Sequence, residues 1–295
     1  MKRRDLIDLL LLAAMWGGSF LFMRIAVPEF GPMPMVEMRV AIAALVLVPL
    51  LLRQQPPKVL GDNWRGLALV GITNSAIPFA LFAFAMVSIT SGMGAILNST
   101  SPLFGAVIAF FWLRDRLPWM RVAGLFVGFA GVALLMWGKP MLGIGGDGWA
   151  VAAALGASLS YGISPNYIKR NLAHVSPLAI ATGSQIAATI VLLPIAIATW
   201  PATHPSSTAW LAAIALGVGC TGLAYILYFR LIRNIGPTRA IAVTFLIPPI
   251  GMLYGAVFLH ERVTVEMMAG CVVILLGTAL ATGIVGARPV REAVK

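Results

Sequence analysis

Long apolar runs separated by short polar or proline-bearing breaks recur from one end of the chain to the other. A helix crosses roughly 30 Å of hydrocarbon at about 1.5 Å per residue, so a spanning segment needs about 20 apolar residues. Ten segments reach that length, near 6–27, 33–53, 65–87, 91–113, 119–138, 148–170, 176–199, 208–231, 237–259 and 264–286. The connections carry turn residues: Pro28, Gly31, Pro32 and Pro34 in the first, Pro56, Pro57, Gly61 and Asp62 in the second, 139–148 in the middle, and Pro201 with Pro205 further on. No room remains for a soluble domain. The pattern predicts an all-α integral membrane protein. The start, Met1-Lys2-Arg3-Arg4 before an apolar stretch, has the layout of a secretory signal, but the stretch continues to Val27 and Trp16-Gly17-Gly18-Ser19 matches a small-x-small cleavage site poorly. It is read as a retained helix.

Composition sharpens this reading. With 60% hydrophobic residues against 11% charged and a mean hydropathy of +0.93, the apolar surface exceeds what one water-facing shell covers, which argues against a soluble enzyme. The net charge of +11 is spread between the apolar runs rather than clustered on a tail or face, so it does not describe a nucleic-acid binder. Alternating sides after each span from a cytoplasmic start places all but four of the 21 Lys and Arg inside. The exceptions are Lys139 and Arg262 outside, and Arg24 and Arg39 within spans near the outer face. A miscounted span would erase that bias, so span count and orientation support each other, with both termini cytoplasmic in a multi-pass inner (plasma) membrane protein. Cys220 and Cys271 both lie in apolar segments, where a thiol behaves as a small hydrophobe; neither a disulfide framework nor a metal site is indicated, and no cofactor is implied.

Sliding the chain on itself by 146 residues pairs Trp64 with Trp210, Gly71 with Gly217, Leu81 with Leu227, Pro102 with Pro248 and Gly105 with Gly251. The same register matches Asp115-Arg116 to Glu261-Arg262, Gly124 to Gly270 and Gly131 to Gly277. Two halves follow, 1–143 and 144–295, of five spans each. Because five is odd, the second enters from the opposite side. Loop charges agree: the turn from Arg114 to Arg121 carries three Arg, whereas its copy from His260 to Glu266 carries one Arg and two Glu. Inverted repeats of this kind characterise secondary transporters, whose near-equivalent halves exchange conformations around a central site.

Four stretches then carry a family resemblance. They are Ala13-Ala14-Met15-Trp16-Gly17-Gly18-Ser19-Phe20 in the first span, Arg39-Val40-Ala41-Ile42-Ala43-Ala44-Leu45 in the second, Pro102 through Leu113-Arg114-Asp115-Arg116 in the fourth, and Pro248 through Leu259-His260-Glu261-Arg262 in the ninth. Together, and over essentially the whole chain, they resemble the EamA branch of the drug/metabolite transporter superfamily. No single motif is diagnostic; the arrangement of two five-span halves is the specific part. The resemblance implies a ten-helix export carrier whose central cavity is lined by spans 1, 3, 4, 6, 8 and 9, with spans 5 and 10 peripheral. It points to exporters of neutral and aromatic amino acids as the functional comparison.

Polar and aromatic residues near mid-membrane on the cavity-facing spans are the candidate substrate site. Trp16 and Ser19 flank Gly17-Gly18 in span 1, and Tyr161-Gly162-Ile163-Ser164 is the counterpart in span 6. The glycines permit close packing, or a broken helix whose amides meet a substrate carboxylate. Span 3 offers Asn74, Ser75, Pro78, Phe79 and Phe82, and the repeat register pairs the two Phe with Tyr225 and Tyr228 in span 8. Asn98 and its copy Thr244 each precede a proline break, and are open to either a substrate-facing or a helix-bonding role. Arg24 and Glu37 fall at similar depth in one hairpin and are expected to form a structural ion pair, with Arg39 in a similar structural role. Asp115 and Glu261 read as solvated helix-end charges.

Absences narrow the chemistry. Apart from Glu37, no Asp, Glu or His is expected deep in a span, which speaks against a carboxylate proton relay. Convergent Lys or Arg for a phosphate-bearing solute are also missing. The expectation is a permease for small neutral or zwitterionic metabolites, amino acids first, possibly uncoupled, with the lipid bilayer and a small-molecule solute as its partners, no nucleic acid, and a monomeric or weakly dimeric state. The alternatives are a proton-coupled multidrug exporter, an intramembrane enzyme and a structural subunit associating through Gly124-x-x-x-Gly128. For the enzyme, no His-Glu-x-x-His or Gly-x-Ser-x-Gly is present and Gly145-Gly146-Asp147 lacks the Gly-x-Gly-Asp spacing; no catalytic residue is assigned.

Overall fold

A computed structural model describes residues 2–115, 117–137, 148–236 and 240–284. Ten helices account for nearly all of them: α1 Arg3–Phe30, α2 Pro32–Gln54, α3 Trp64–Ala85, α4 Ser91–Leu113, α5 Trp119–Leu135, α6 Gly148–Asn171, α7 Pro177–Ala198, α8 Ser207–Ile235, α9 Ala242–Phe258 and α10 Val265–Thr282. Seven are long and apolar enough to cross a bilayer outright, and α5 and α9 are shorter apolar helices. The helix with the most polar interior is α6, whose Ser158, Ser160, Ser164 and Asn166 are buried against neighbouring helices rather than turned to lipid. The division of the chain near residue 143, and the Gly145-Gly146-Asp147 stretch, lie outside the described residues.

Side-chain contacts at the helix ends define two faces. On the face bearing Lys2, here the N face, Gln55 bonds Ser176, Asn63 bonds His174, Asp115 pairs with Lys169, and Asp8 pairs with Arg230. On the far face, Glu29 accepts hydrogen bonds from Ser206, Phe30 meets Trp200 and Trp210 edge-on, and Glu261 accepts bonds from Ser91. Successive connections alternate between these faces.

The 146-residue repeat of the sequence is visible in backbone conformation as well. A π-helical stretch interrupts α3 at Ile72–Ala76, and another interrupts α8 at Ala215–Leu223, which contains the equivalent positions. Arg114 (φ 56°) and His260 (φ 53°), also equivalent, are the two non-glycine residues with positive φ among the described residues. The amides that follow them close the same turn, Asp115 N–H to Ala109 and Glu261 N–H to Gly255. The breaks of α4 after Asn98 and of α9 after its opening 3₁₀ turn Ile241–Phe245 correspond too. The fold is therefore all-α with ten membrane spans in two inverted five-helix repeats.

Small residues let the halves approach closely. A Cβ on Gly71 would lie 2.6 Å from the Ser184 carbonyl oxygen of α7, and a Cβ on its mate Gly217 would lie 2.5 Å from Ile42 Cβ of α2. Helices α5 and α10 form the most extensive pair, along a seam where Gly124 and Gly128 meet the backbone of Gly277. The Gly124-x-x-x-Gly128 motif thus packs within one chain. With little hydrophobic drive between helices in lipid, such backbone proximity supplies the packing that holds the bundle.

Packing is uneven between the faces. Toward the far face the first half of α4, Ser91–Asn98, lies against α9, whereas its second half, Ser101–Leu113, turns to α6 and α10. The N-face halves of α3 and α8 likewise pack outward, onto α7 and α1. Residues 93–97 are all buried, while 104–109 and 225–230 are only half-buried. The far-face segment of α4 is thus more fully buried than the N-face segments of α4 and α8.

Candidate functional site

At mid-depth the two π-helical stretches meet α2 and α7. A π turn holds one residue more than an α turn and so displaces side chains and leaves carbonyls out of register, a distortion found most often at functional sites. Hydroxyls satisfy those carbonyls here: Thr221 Oγ1 donates to Leu216 at 2.9 Å, and Ser160 Oγ of α6 donates to Thr73 at 2.7 Å. The other faces of the π stretches point inward. Asn74 Nδ2 donates to the Tyr225 hydroxyl at 3.0 Å, and Gln185 Nε2 of α7 donates to Ser75 Oγ at 2.9 Å.

Arg39 of α2 is at the centre of this arrangement. Its side chain is 5% exposed; Nε–H donates to Thr221 Oγ1 at 2.9 Å, and the guanidinium carbon is 3.7 Å from the centre of the Phe79 ring. Nη1 has only the Met23 sulfur at 3.9 Å. Its electrostatic neighbours are Tyr161, Cys220 and Tyr225, and among the described residues no carboxylate pairs with it. Sequence reading placed Arg39 near the outer face in a structural role, and this is corrected. Depth along a helix does not reveal where a six-bond side chain ends, and Arg39 reaches inward across the α2–α8 contact.

Two aromatic groups flank the guanidinium. Phe79 and Phe82 lie 6.4 and 6.2 Å from Tyr161, and Phe20 meets Phe82 at 5.5 Å. On the other side, Trp16 is 5.2 Å from Tyr228, and both Tyr225 and Tyr228 contact Phe229. Ser19 is buried and bonds back to the Met15 carbonyl at 3.4 Å. Of the residues singled out in the sequence, Asn74, Phe79, Phe82, Tyr161 and Tyr225 converge around Arg39, with Trp16, Ser19 and Tyr228 bordering them. Asn98 and Thr244 sit at the helix breaks of α4 and α9. Ser164 is buried on α6 with a hydroxyl that has no hydrogen-bond partner.

Three expectations change. The glycine pairs do not break their helices: α1 and α6 run uninterrupted, with Gly17 against Ile250, Gly18 facing Tyr254 and Gly162 against Gly105. The discontinuities are in α3, α4, α8 and α9. Arg24 and Glu37 do not pair. Arg24 donates to the carbonyls of Met86 (2.6 Å) and Val87 (3.0 Å) and approaches Glu261 at 4.0 Å, while Glu37 is buried with an unpartnered Oε2. Glu261 is not a solvated helix-end charge. Its side chain is 11% exposed and takes both the amide and the hydroxyl of Ser91, capping α4. Asp115, its repeat mate, matches the expectation: 45% exposed, paired with Lys169 at 3.4 Å.

Gln185 and Thr221 belong to this cluster and were missed by the sequence reading, which named Ser75 but gave Arg39 a structural role. The signal was available in the register already used, since 146 residues separate Arg39 from Gln185 and Ser75 from Thr221. The two hydrogen bonds, Arg39 to Thr221 and Gln185 to Ser75, are repeat mates that tie each half to the π stretch of the other.

With this geometry in place, comparison with known proteins is informative. The EamA-like transporter family matches residues 6–137 and 148–283. The uncharacterized transporter YvbV of Bacillus subtilis (strain 168) is 24% identical over 95% of this chain and 92% of its own. A probable terminal-alkyne amino-acid exporter of Streptantibioticus cattleyicolor is 24% identical over 86% and 84%, and the uncharacterized inner membrane transporter YedA of Escherichia coli (strain K12) is 27% identical over 81% and 78%. A solved crystal structure superposes with a TM-score of 0.66 at 19% identity, covering 96% of this chain and 98% of that one, a likeness of fold. Two family-length matches on a chain whose halves share π stretches, positive-φ turns and cross-half hydrogen bonds place it: this protein is a multi-pass membrane protein of the EamA-like transporter family.

Proposed function

We propose that this chain is a permease of the inner membrane that exports small neutral or zwitterionic metabolites, amino acids first, by alternating access around the Arg39–Tyr161–Tyr225 cluster. The observation that carries the reading is the meeting of two repeat-related π stretches at one buried aromatic and polar cluster in mid-membrane. The concentration of Lys and Arg at the N face makes that face cytoplasmic, which puts both termini inside. The Streptantibioticus relative, a probable terminal-alkyne amino-acid exporter, agrees with the solute class. Glu261 fastens α4 through Ser91 and holds Arg24; its mate Asp115 is left with exposed Lys169. Exchange of those roles between mates is the symmetric route to the opposite state. The test is counterflow of labelled neutral, aromatic and charged amino acids in liposomes, with and without a proton ionophore. Saturable, ionophore-insensitive exchange of neutral or aromatic species, lost in Trp16→Ala, is expected; silence across the panel would overturn the solute assignment.

A second reading, proton-coupled multidrug export, is favoured by one feature, the buried and unpartnered Glu37 carboxylate on α2. It requires ionophore-sensitive drug efflux that Glu37→Gln abolishes.

A further inference from the structure

We infer that Arg39 is the solute-recognition residue of the central cluster and that the transported solute must carry a carboxylate, whereas an ammonium group is dispensable. The inference rests on the transport reading and gives it a recognition chemistry.

A buried ion is tolerated only when paired and hydrogen-bonded, because desolvation costs several kcal/mol per charge (of that order). Arg39 breaks that rule: it is 95% buried (5% exposed), with one oxygen partner, one aromatic face and no carboxylate among the described residues. Glu37, two positions away, is not its counter-ion: among the described residues no ion pair joins the two, and Glu37 Oε2 is buried without a hydrogen-bond partner. The scaffold does not demand the charge either. At the mate position Gln185 makes the equivalent hydrogen bond, to Ser75, with a neutral amide. The protein thus contains its own control: a side chain that secures the π stretch without a charge. What distinguishes Arg39 is the fork left over after Thr221 is bonded, Nη1 and Nη2, which fits a carboxylate in two parallel hydrogen bonds. Phe79 and Tyr161 beside it supply an apolar wall for the body of the solute. Around the guanidinium the polar groups are hydroxyls, an amide and a thiol, from Tyr161, Tyr225, Asn74 and Cys220, none of them an anion for an ammonium.

Four probes sharing one phenyl body separate the groups: L-phenylalanine, 3-phenylpropionate, phenylalaninamide and 2-phenylethylamine. Thermal stabilisation of the purified full chain in detergent reads binding, and competition with labelled phenylalanine counterflow reads transport. Both acids are expected to stabilise the wild type and the amide and amine to leave it unchanged. Arg39→Gln is expected to weaken acid binding roughly a hundredfold, in line with removing one partner of a buried charge pair, with its unliganded melting temperature near wild type because Gln185 shows that glutamine sustains the bond. Arg39→Lys, keeping the charge without the fork, should retain the preference for acids at lower affinity. Stabilisation by the amide or amine equal to that by the acids, no stabilisation by either acid, or undiminished acid binding in Arg39→Gln would each overturn the inference, and the wild-type series decides even if a variant fails to fold. Acid binding without counterflow would instead defeat the transport reading while leaving Arg39's recognition of a carboxylate standing.

Discussion

At the scale of single residues, the contrast between Arg39 and Gln185 makes stability measurable at two related sites. Thr221→Val removes the acceptor of a charged donor together with the hydroxyl that satisfies Leu216, and is expected to destabilise the protein by about 1.5–3 kcal/mol. Ser75→Ala removes only the acceptor of a neutral amide and is expected to cost about 1 kcal/mol. Thermal or denaturant unfolding in detergent orders the two variants, and an inverted order would contradict the roles given to them. This is also the scale at which sequence was least informative. Trp16, Phe79, Tyr161 and Tyr225 stood out in the sequence as bulky aromatics on helices expected to face a cavity. The partners of Arg24, Glu37 and Arg39 were not, since a long charged side chain chooses among neighbours that only tertiary structure brings near. Glu261 lies far along the chain from the Arg24 it meets.

At the scale of elements, hydrophobic run length was sufficient. All ten helices appear where apolar segments of spanning length were expected; Pro56, Pro57, Pro201 and Pro205 fall between them, whereas Pro28 lies inside α1 and Pro32 and Pro34 lie in the first turn of α2, leaving Gly31 as the break. The interruptions inside helices were misplaced, for a physical reason. Glycine pairs in α1 and α6 suggested unwinding, but a glycine in lipid also serves close approach, and Gly17 with a Cβ would be 2.6 Å from Ile250 Cγ2. The π stretches lack a local composition cue; they are set by the fit of α3 against α7 and of α8 against α2. Inserting one alanine between Ala76 and Ile77, just past the π stretch, should turn Phe79 and Phe82 by about 100°, the angle of one residue in a helix of 3.6 per turn, and abolish transport while leaving membrane insertion intact. At the α5–α10 seam, Gly277→Leu drives a side chain into the Gly128 backbone and is expected to destabilise by at least about 2 kcal/mol, read as loss of monodisperse protein on purification.

At the scale of the molecule, alternating access around one buried cluster predicts sided chemistry. Cys220, buried among the groups around Arg39, is expected to be shielded from a membrane-impermeant thiol reagent in the present arrangement and to react only from the face to which the cluster opens during the cycle, in a protein whose Cys271 is replaced by alanine. Glu261→Gln weakens the cap on α4 and should shift reactivity toward the far face; unchanged sidedness would remove Glu261 from the control of access. The uneven mates have an energetic consequence of their own. On the proposed recognition chemistry, the empty carrier holds an unpaired guanidinium in a low-dielectric middle layer, and a bound carboxylate pairs with it. Rearrangement of the empty form is therefore expected to be the slow limb of the cycle, so solute on the receiving side should speed release, and exchange should outrun net flux.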